Sequence, residues 1–287
     1  GRAQRSLPGL EQGQAGEYLA DRLTTEAIGF VTANRDAPFF LWLSHYGVHT
    51  PIQGRPDLVE RYRAKPSAGG HGNPAYAAMV QAVDDSVGRI LEAVTRLGLA
   101  ERTVIIFTSD NGGFGPATSM APLRASKGAV YEGGIRVPLI VRWPGRVKAG
   151  STSDAPVIAT DFYPTFLDAT GASAPPGQPL DGRSLLPVLT GAPGVPTRDL
   201  FWHIPVYLEA DRSVTGPWRT TPASAMRRGS YKLVHFFEDR RWELYNLDED
   251  IGESRDLSAA EPGRTREMRA ALERWWADTG AFIPRPK

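Results

Sequence analysis

Hydrophobic and polar residues follow patterns typical of helices and buried strands along the first two thirds of the chain. Apolar residues at helical spacing predict helices over 16–34, 73–97 and 161–170. Asn73 and Pro74 suit the start of the second helix, with Asn73 as its N-cap. Continuous apolar runs predict three buried strands, Phe39–Leu43, Thr103–Thr108 and Val137–Val141. Because helices and strands alternate, we expect an α/β fold with a mostly parallel sheet and flanking helices.

The pattern changes after two stretches rich in proline and glycine, 172–179 and 191–196. Short apolar segments joined by turns then predict strands over 224–227, 231–237 and 242–245. A final helix is predicted over 262–279. We therefore expect two domains, an incomplete α/β domain over 1–190 and a small α+β subdomain with an antiparallel sheet and a terminal helix over 191–287.

Composition and charge narrow the class of protein. The chain has 287 residues, of which 41% are hydrophobic, as in globular proteins. Its 33 Lys and Arg nearly balance 32 Asp and Glu, so it lacks the basic excess expected of proteins that bind nucleic acid or anionic membranes. It begins with Gly1 and contains neither a signal segment nor a membrane-length apolar run, so the sequence identifies no compartment. The absence of cysteine excludes disulfides, cysteine zinc ligands and a cysteine nucleophile.

Asp110 and Asn111 follow a predicted buried strand and precede two glycines. Ligands of parallel α/β sheets gather at the carboxyl ends of strands. Carboxylate and amide oxygens suit hard cations such as Ca²⁺ or Mg²⁺. A β-turn is the alternative, because Asn-Gly is a common hairpin sequence, although residues 114–118 do not resemble a second strand.

Four basic side chains are candidates for binding an anion. Lys127, which lies among small residues, and the nearby Arg124 can donate to an oxyanion, with a solvated surface role as the alternative. His45 and His49 follow another predicted strand, where imidazole can bind an oxyanion or protonate a leaving group; a structural role is the alternative. We discount a zinc pair, because Pro51 and the preceding strand argue against a helix here.

Six blocks of the chain resemble sulfatases of the alkaline-phosphatase superfamily. In chain order they are FFLWLSHYGVHTP (39–51), VDDSVG (83–88), TSDNGG (108–113), PLRASKGAVYEGG (122–134), LDGRSLLP (180–187) and ELYNLDED (243–250). One such block is weak evidence, but six in the family's order at sensible spacing are highly specific. The chain therefore resembles an arylsulfatase-like hydrolase along nearly its whole length.

The resemblance implies a function and roles for individual residues. It implies hydrolysis of aryl or carbohydrate sulfate esters, with a sulfated small molecule or glycan as the partner. Asp110 and Asn111 would be ligands of Ca²⁺, while Lys127 and His49 would contact the sulfate and assist departure of the alcohol oxygen. His45 and His203 are further candidates for substrate contact.

The loop over 209–222 is our candidate for determining substrate specificity. It contains Asp211, Arg212, Trp218 and Arg219. Among these, Trp218 is the substrate-binding residue that we predict, together with Arg124 outside the loop.

The family's Cys-x-Pro-Ser-Arg block, whose cysteine becomes formylglycine, has no counterpart here. The family's first acidic metal ligands and its Lys-x-His block are absent as well, so the chain resembles the C-terminal part of a sulfatase and contains no nucleophile. We expect the chain alone to bind Ca²⁺ weakly and not to turn over sulfate esters. We also expect it to self-associate through an exposed sheet edge.

Two other functions remain open. The chain is either a fragment of a sulfuric-ester hydrolase or a non-catalytic remnant that binds sulfated ligands, and an in-frame Cys-x-Pro-Ser-Arg in the upstream DNA distinguishes the two. A phosphonate or phosphate monoester hydrolase of the same superfamily is the third possibility. Comparing activity on sulfate and phosphate esters in the complete protein decides it.

Overall fold

The structure is a computed structural model that describes residues 9–10, 13, 16–192, 197–209 and 218–285. The chain folds into two compact units, residues 1–103 and 104–287. None of the described helices has the length and apolar character that crossing a membrane requires. The expected domain boundary near residue 190 stays a prediction.

The first unit is built from helices. They are α1 (Leu19–Ala33), α2 (Pro56–Arg63) and α3 (Pro74–Arg96), and a 3₁₀ turn follows at Ala100–Arg102. Both α1 and α2 pack against α3. Asn73 Oδ1 accepts hydrogen bonds from the backbone N–H groups of Ala75 at 3.1 Å and Tyr76 at 3.0 Å, which confirms the predicted N-cap.

The predicted strand Phe39–Leu43 is not formed, which corrects one element of the expected sheet. Phe40 and Trp42 are 63% and 69% exposed, so this run is not buried on both faces. A strand needs the backbone groups of a neighbouring strand, and none in the described part of the chain pairs with this segment. The apolar pattern could not show whether such a neighbour is present.

The second unit contains all the described strands and four helices. The strands are β1 (Ile105–Thr108), β2 (Leu139–Arg142), β3 (Asp199–Ile204), β4 (Leu208–Glu209), β5 (Trp218–Thr220), β6 (Ala223–Arg228), β7 (Tyr231–Phe236) and β8 (Trp242–Asn246). The helices are α4 (Glu132–Ile135), α5 (Phe162–Thr170), α6 (Leu186–Leu189) and α7 (Pro262–Thr279).

Strands β1 and β2 pair antiparallel, which corrects the expected parallel arrangement for this pair. The end of β1 lies opposite the start of β2, with Thr108 facing Leu139. A buried apolar run is compatible with either direction of pairing, so the sequence pattern could not decide it. The connection over 109–138 therefore leaves and re-enters the ribbon at one end, and this connection carries the candidate site.

The predicted antiparallel sheet and terminal helix are confirmed. The sheet has the strand order β3-β6-β7-β8, and α7 packs against β6 and β7. The core between them is at most 1% exposed at Met226, Leu233, Leu244, Met268 and Leu272. Strands β4 and β5 form a separate two-stranded ribbon.

Candidate functional site

Asp110 and Asn111 lie directly after β1, in a loop over 109–113 that we call the Asp110 loop. Asn111 Nδ2 donates a hydrogen bond to Asp110 Oδ2, and Ser109 Oγ donates to the Asn111 carbonyl at 2.9 Å. Within the described residues, Asp110 Oδ1 and Asn111 Oδ1 accept no hydrogen bond, so both oxygens are available to a cation. No group of three or more His, Cys, Asp or Glu side chains suited to a metal occurs among those residues.

Lys127 lies in a second loop over 122–134, the Lys127 loop. The backbone N–H of Lys127 donates to the Gly113 carbonyl at 2.9 Å. Lys127 is half-buried, and its ammonium has no partner in the part of the chain that the structure describes. Ala125, two residues earlier, has a φ of 62°, a left-handed conformation that costs a non-glycine residue energy. The backbone hydrogen bond to Gly113 therefore holds Lys127 in place, while the N–H groups of its ammonium are left to donate to another partner.

Glycine contacts join the Asp110 loop to the Lys127 loop. Gly112 donates from its backbone N–H to the Gly134 carbonyl at 2.9 Å, which connects the two loops. Within the Lys127 loop, Gly133 donates to the Arg124 carbonyl at 2.8 Å. A Cβ on Gly112 would lie 1.8 Å from the Gly133 carbonyl oxygen. The backbones approach so closely that only glycine fits here.

The Arg124 guanidinium binds other residues of this chain. Its Nη1 donates to the Tyr245 hydroxyl at 2.9 Å and to the Glu253 carbonyl at 2.8 Å. Its guanidinium lies 3.9 Å from the centre of the Tyr131 ring, in cation–π contact. These bonds tie the Lys127 loop to β8. The substrate-binding role of Arg124 stays a prediction.

A buried group of charges beneath the Lys127 loop was not found from the sequence. The Lys232 ammonium lies 2.9 Å from Glu132 Oε1 and 2.9 Å from Glu253 Oε1, and Lys232 and Glu253 are both fully buried. Glu253 Oε2 also accepts a hydrogen bond from the Glu132 backbone N–H at 2.6 Å. Burial raises the pKa of the Glu253 carboxyl, and the Lys232 charge opposes that rise. Separations of up to 121 residues in sequence conceal these pairs from any local pattern.

Two tyrosines and the Glu243 carboxylate form a further hydrogen-bonded group, which links the Lys127 loop to strand β8 of the sheet. Glu243 Oε2 accepts hydrogen bonds from the Tyr131 hydroxyl at 2.6 Å and the Tyr245 hydroxyl at 2.8 Å. Burial and the Glu243 carboxylate raise the pKa of both tyrosines above the ordinary value, so both hydroxyls stay protonated donors. Arg241 Nε donates to Glu243 Oε1 at 2.7 Å and balances its charge.

His45 and His49 belong to the first unit, whereas Asp110 and Lys127 belong to the second. His45 Nε2 lies 3.1 Å from the Ser86 hydroxyl, and burial lowers the pKa of His45. His49 is exposed, and its Nδ1 lies 2.9 Å from the Thr50 carbonyl, which can only accept. Nδ1 of His49 therefore carries a proton, and Nε2 is the atom available to a ligand.

Both ring nitrogens of His203 have protein partners. Nδ1 lies 2.7 Å from the Ser224 hydroxyl, and Nε2 lies 2.8 Å from the Phe282 carbonyl. Trp276 Nε1 donates to the same Ser224 oxygen at 3.0 Å, which leaves the serine proton for His203 Nδ1. A substrate-binding role for His203 stays a prediction.

Trp218 lies in β5 and is 37% exposed. Its ring centre lies 5.0 Å from that of Tyr207, with 55° between the ring planes. The hydroxyl of Tyr207 donates to the Glu238 carboxylate. Of the other residues in the predicted specificity loop, Asp211 and Arg212 lie outside the described residues.

The first unit consists of helices, and the second contains the two coupled loops and an antiparallel sheet with a terminal helix. These parts are typical of hydrolases of the alkaline-phosphatase class. The family model for sulfatases matches residues 2–172, and that for the C-terminal region of N-sulphoglucosamine sulphohydrolase matches residues 125–276. The chain belongs to the sulfatase family. The family's general reaction is hydrolysis of sulfate esters, and a calcium ion is typical of its members.

The similar proteins are named sulfatases. A sulfatase of Formosa agariphila is 35% identical over 94% of this chain and 54% of its own length. Human arylsulfatase A is 30% identical over 93% of this chain and 52% of its own length. The chain therefore spans about half the length of the curated relatives that it matches.

Solved structures agree with the family assignment. The crystal structure of Ps i-CgsB superposes with a TM-score of 0.77 at 31% identity, over 90% of this chain and 55% of that one. The structure of BT4656 with its substrate D-glucosamine-2-N,6-O-disulfate superposes with a TM-score of 0.61 at 31% identity, over 74% of this chain and 42% of that one.

Proposed function

We propose that this chain is part of a hydrolase that cleaves aryl or carbohydrate sulfate esters. The observation that carries the proposal is the direct backbone coupling of the Asp110 loop to the Lys127 loop through Gly112 and Gly134. This coupling holds two oxygen ligands for a cation in fixed relation to an ammonium group. A cation and an ammonium group together suit the oxygen atoms of a bound sulfate.

Asp110 and Asn111 would hold Ca²⁺, with Mg²⁺ as the alternative cation. Their free oxygens fit a hard cation, but Ca²⁺ takes about six to eight oxygen ligands, so this pair supplies part of a site. When bound, the ion supplies positive charge that stabilises the sulfate oxygens. The chain alone is expected to bind Ca²⁺ weakly.

Lys127 and His49 are assigned complementary roles. Lys127 binds a sulfate oxygen and neutralises its charge, since its ammonium is free to donate. His49 in its protonated form donates from Nε2 to the departing alcohol oxygen, because Nδ1 is held by the Thr50 carbonyl. His45, with its pKa lowered by burial, would contact the substrate as a neutral group.

The chain supplies no nucleophile, because it has no cysteine from which formylglycine is made. We therefore propose that the isolated chain binds sulfated ligands without turning them over. In the whole protein, a mostly parallel sheet and a domain boundary near residue 190 are part of the same proposal.

We propose a sulfated sugar as the ligand class. Ps i-CgsB is solved in complex with k-i-k-neocarrahexaose, and BT4656 with a disulfated glucosamine. The exposed Trp218 beside Tyr207 offers a flat apolar surface of the kind that lines small-molecule sites. Arg124 and His203 are further candidates for contact with such a sugar.

The test measures binding of glucosamine 6-O-sulfate to the chain by isothermal titration calorimetry with Ca²⁺ present. Lys127→Gln should weaken binding roughly tenfold to a hundredfold, because it removes a charge-assisted hydrogen bond. Arg269→Gln is the matched control, since Arg269 is half-exposed on α7 and pairs with Glu273 at 2.8 Å. Equal affinities of the wild type and the Lys127 variant would contradict the proposal, as would any turnover of 4-nitrophenyl sulfate above a Lys127→Ala control.

A phosphonate monoester hydrolase is the second candidate function. The phosphonate monoester hydrolase SpPMH superposes with a TM-score of 0.55 at 27% identity, over 71% of this chain and 40% of that one. Tighter binding of phenyl phosphonate than of phenyl sulfate would favour this candidate. A purely non-catalytic binding module is favoured instead if a genuine start codon lies in the DNA immediately upstream of the codon for Gly1.

A further inference from the structure

Glu253 binds the Lys127 loop near both of its ends. Near the start of the loop, the Arg124 guanidinium donates a hydrogen bond to the Glu253 carbonyl at 2.8 Å. Near its end, the backbone N–H of Glu132 donates to Oε2 of the Glu253 carboxylate at 2.6 Å. The Gly133 N–H donates to the Arg124 carbonyl at 2.8 Å and closes the loop at the same place. Lys127 lies in the segment between these contacts.

Gly252, directly before Glu253, lets this part of the chain approach the loop. A Cβ on Gly252 would lie 3.0 Å from the Pro122 carbonyl oxygen, closer than side chains normally pack against backbone. With glycine at this position, the backbone lies directly against the first residue of the Lys127 loop. Residues 252 and 253 therefore contact the loop at its start and at its end.

The turn that carries Glu253 is itself fixed by hydrogen bonds. The Asp250 carboxylate accepts from the backbone N–H groups of Ser254 and Arg255, both at 2.8 Å. Glu253 has a φ of 50°, a conformation that costs a residue other than glycine energy and persists only where the surroundings enforce it. Residues held in such conformations cluster at functional sites. The turn thus presents the Glu253 side chain in one orientation.

Both carboxylate oxygens of Glu253 face donors. Oε1 lies 2.9 Å from the Lys232 ammonium, and Oε2 accepts from the Glu132 backbone. The side chain is fully buried, so water does not replace a partner that is lost. An amide has one acceptor oxygen and one donor NH₂ group, whereas a carboxylate accepts on both oxygens. Glu253→Gln therefore loses one of these two contacts and turns an N–H towards a donor.

The charges that remain after this substitution are balanced. Lys232 also lies 2.9 Å from Glu132 Oε1, so one ammonium still faces one carboxylate. A buried ion pair is costly to break mainly when one charge is left alone, which does not happen here. Glu253→Gln thus loosens the attachment of the Lys127 loop without leaving a buried charge unpaired.

We propose that Glu253 is a positioning residue that holds the Lys127 ammonium where it meets a sulfate oxygen. It acts through the backbone of the Lys127 loop and does not touch the ligand. This inference rests on the proposed function of Lys127. It also gives a role to the ELYNLDED block (243–250) and the turn after it, because Glu243 and Tyr245 of that block bind the same loop.

The test is a double-mutant cycle of Glu253→Gln and Lys127→Gln, with the affinity for glucosamine 6-O-sulfate measured by NMR titration in the presence of Ca²⁺. Glu253→Gln alone should weaken binding about fivefold, because a displaced ammonium makes a poorer hydrogen bond. In the Lys127→Gln background it should change the affinity less than about twofold, because the group that it positions is gone. A purely structural loss would weaken binding equally in both backgrounds. Glu273→Gln is the matched control and should change neither affinity, since Glu273 is half-exposed on α7 and pairs with Arg269 at 2.8 Å.

Hydrogen exchange in the wild type gives a second readout that needs no variant. The Lys127 amide donates to the Gly113 carbonyl at 2.9 Å, and the Glu132 amide donates to Glu253. If Glu253 holds the loop as one unit, both amides should exchange with the same free energy of opening. A Lys127 amide that exchanges much faster than the Glu132 amide would overturn the proposal.

The outcomes separate the role of Glu253 from the proposed function. If Lys127→Gln weakens binding but Glu253→Gln has the same effect in both backgrounds, the role of Glu253 is wrong and the proposed function stands. If the sugar does not bind, or its affinity does not depend on Lys127, both are wrong. If circular dichroism shows that Glu253→Gln is unfolded, the two exchange rates of the wild type decide.

Discussion

At the scale of single residues, Lys232 explains how the Lys127 loop is supported. Two buried carboxylates bind one buried ammonium, and one of them, Glu132, begins α4 a few residues after Lys127. Removing one partner of a buried ion pair typically costs about 3–5 kcal/mol, because charge is left without compensation. The buried ion pairs therefore help to hold the Lys127 loop in position.

His45 gives a pH dependence at the same scale. Burial lowers its pKa below the ordinary value of 6.5, so the unfolded chain takes up the proton more readily than the folded chain. The resulting stability is fully present above pH 6.5 and is lost as the pH falls through the folded pKa. Urea unfolding of the wild type should show a lower free energy at pH 5 than at pH 8, with part of that difference absent in His45→Gln. Identical pH profiles for the two proteins would contradict this expectation.

At the scale of elements, glycines set the distance between the Asp110 loop and the Lys127 loop. Gly112→Ala places a Cβ 1.8 Å from a carbonyl oxygen of the Lys127 loop. We expect a loss of more than about 2 kcal/mol in the free energy of unfolding, since backbone must move to accept the methyl group. Gly263→Ala is the control, because nothing lies within 4 Å of its Cβ and it lies in α7. Urea unfolding measures both, and a Gly112 variant as stable as the control would contradict the coupling of the loops.

At the scale of the whole molecule, exposed apolar side chains predict self-association. Phe40 and Trp42 in the first unit and Ile140 on β2 in the second are each more than 60% exposed. Surfaces of this kind tend to pair with another chain. Sedimentation velocity should detect oligomers that shrink in Ile140→Lys, because a charge on a strand's open face opposes association. A monodisperse, cooperatively melting wild-type monomer would contradict the prediction.

The sequence predicted the elements whose signals are local. The Asn73 cap, the strands β6, β7 and β8, and the helix α7 follow from capping chemistry, alternation and helical spacing, each of which acts over a few residues. The motif blocks likewise identified the sulfatase family. Local patterns could not predict that β1 and β2 pair antiparallel, or that Phe39–Leu43 forms no strand. Both outcomes depend on a neighbouring segment that is distant in sequence.

The sequence alone was enough to identify the family, to nominate Asp110, Asn111 and Lys127 as candidate ligands, and to show that no cysteine-derived nucleophile is present. The contacts that hold those residues, and the groups that lie beside them, became visible only in the folded chain. The hydrogen bond from Thr220 to Gly128 spans 92 positions, and the bond from Lys232 to Glu132 spans 100. Local spacing carries no information at that range, because chain topology, and not periodicity, brings such residues into contact.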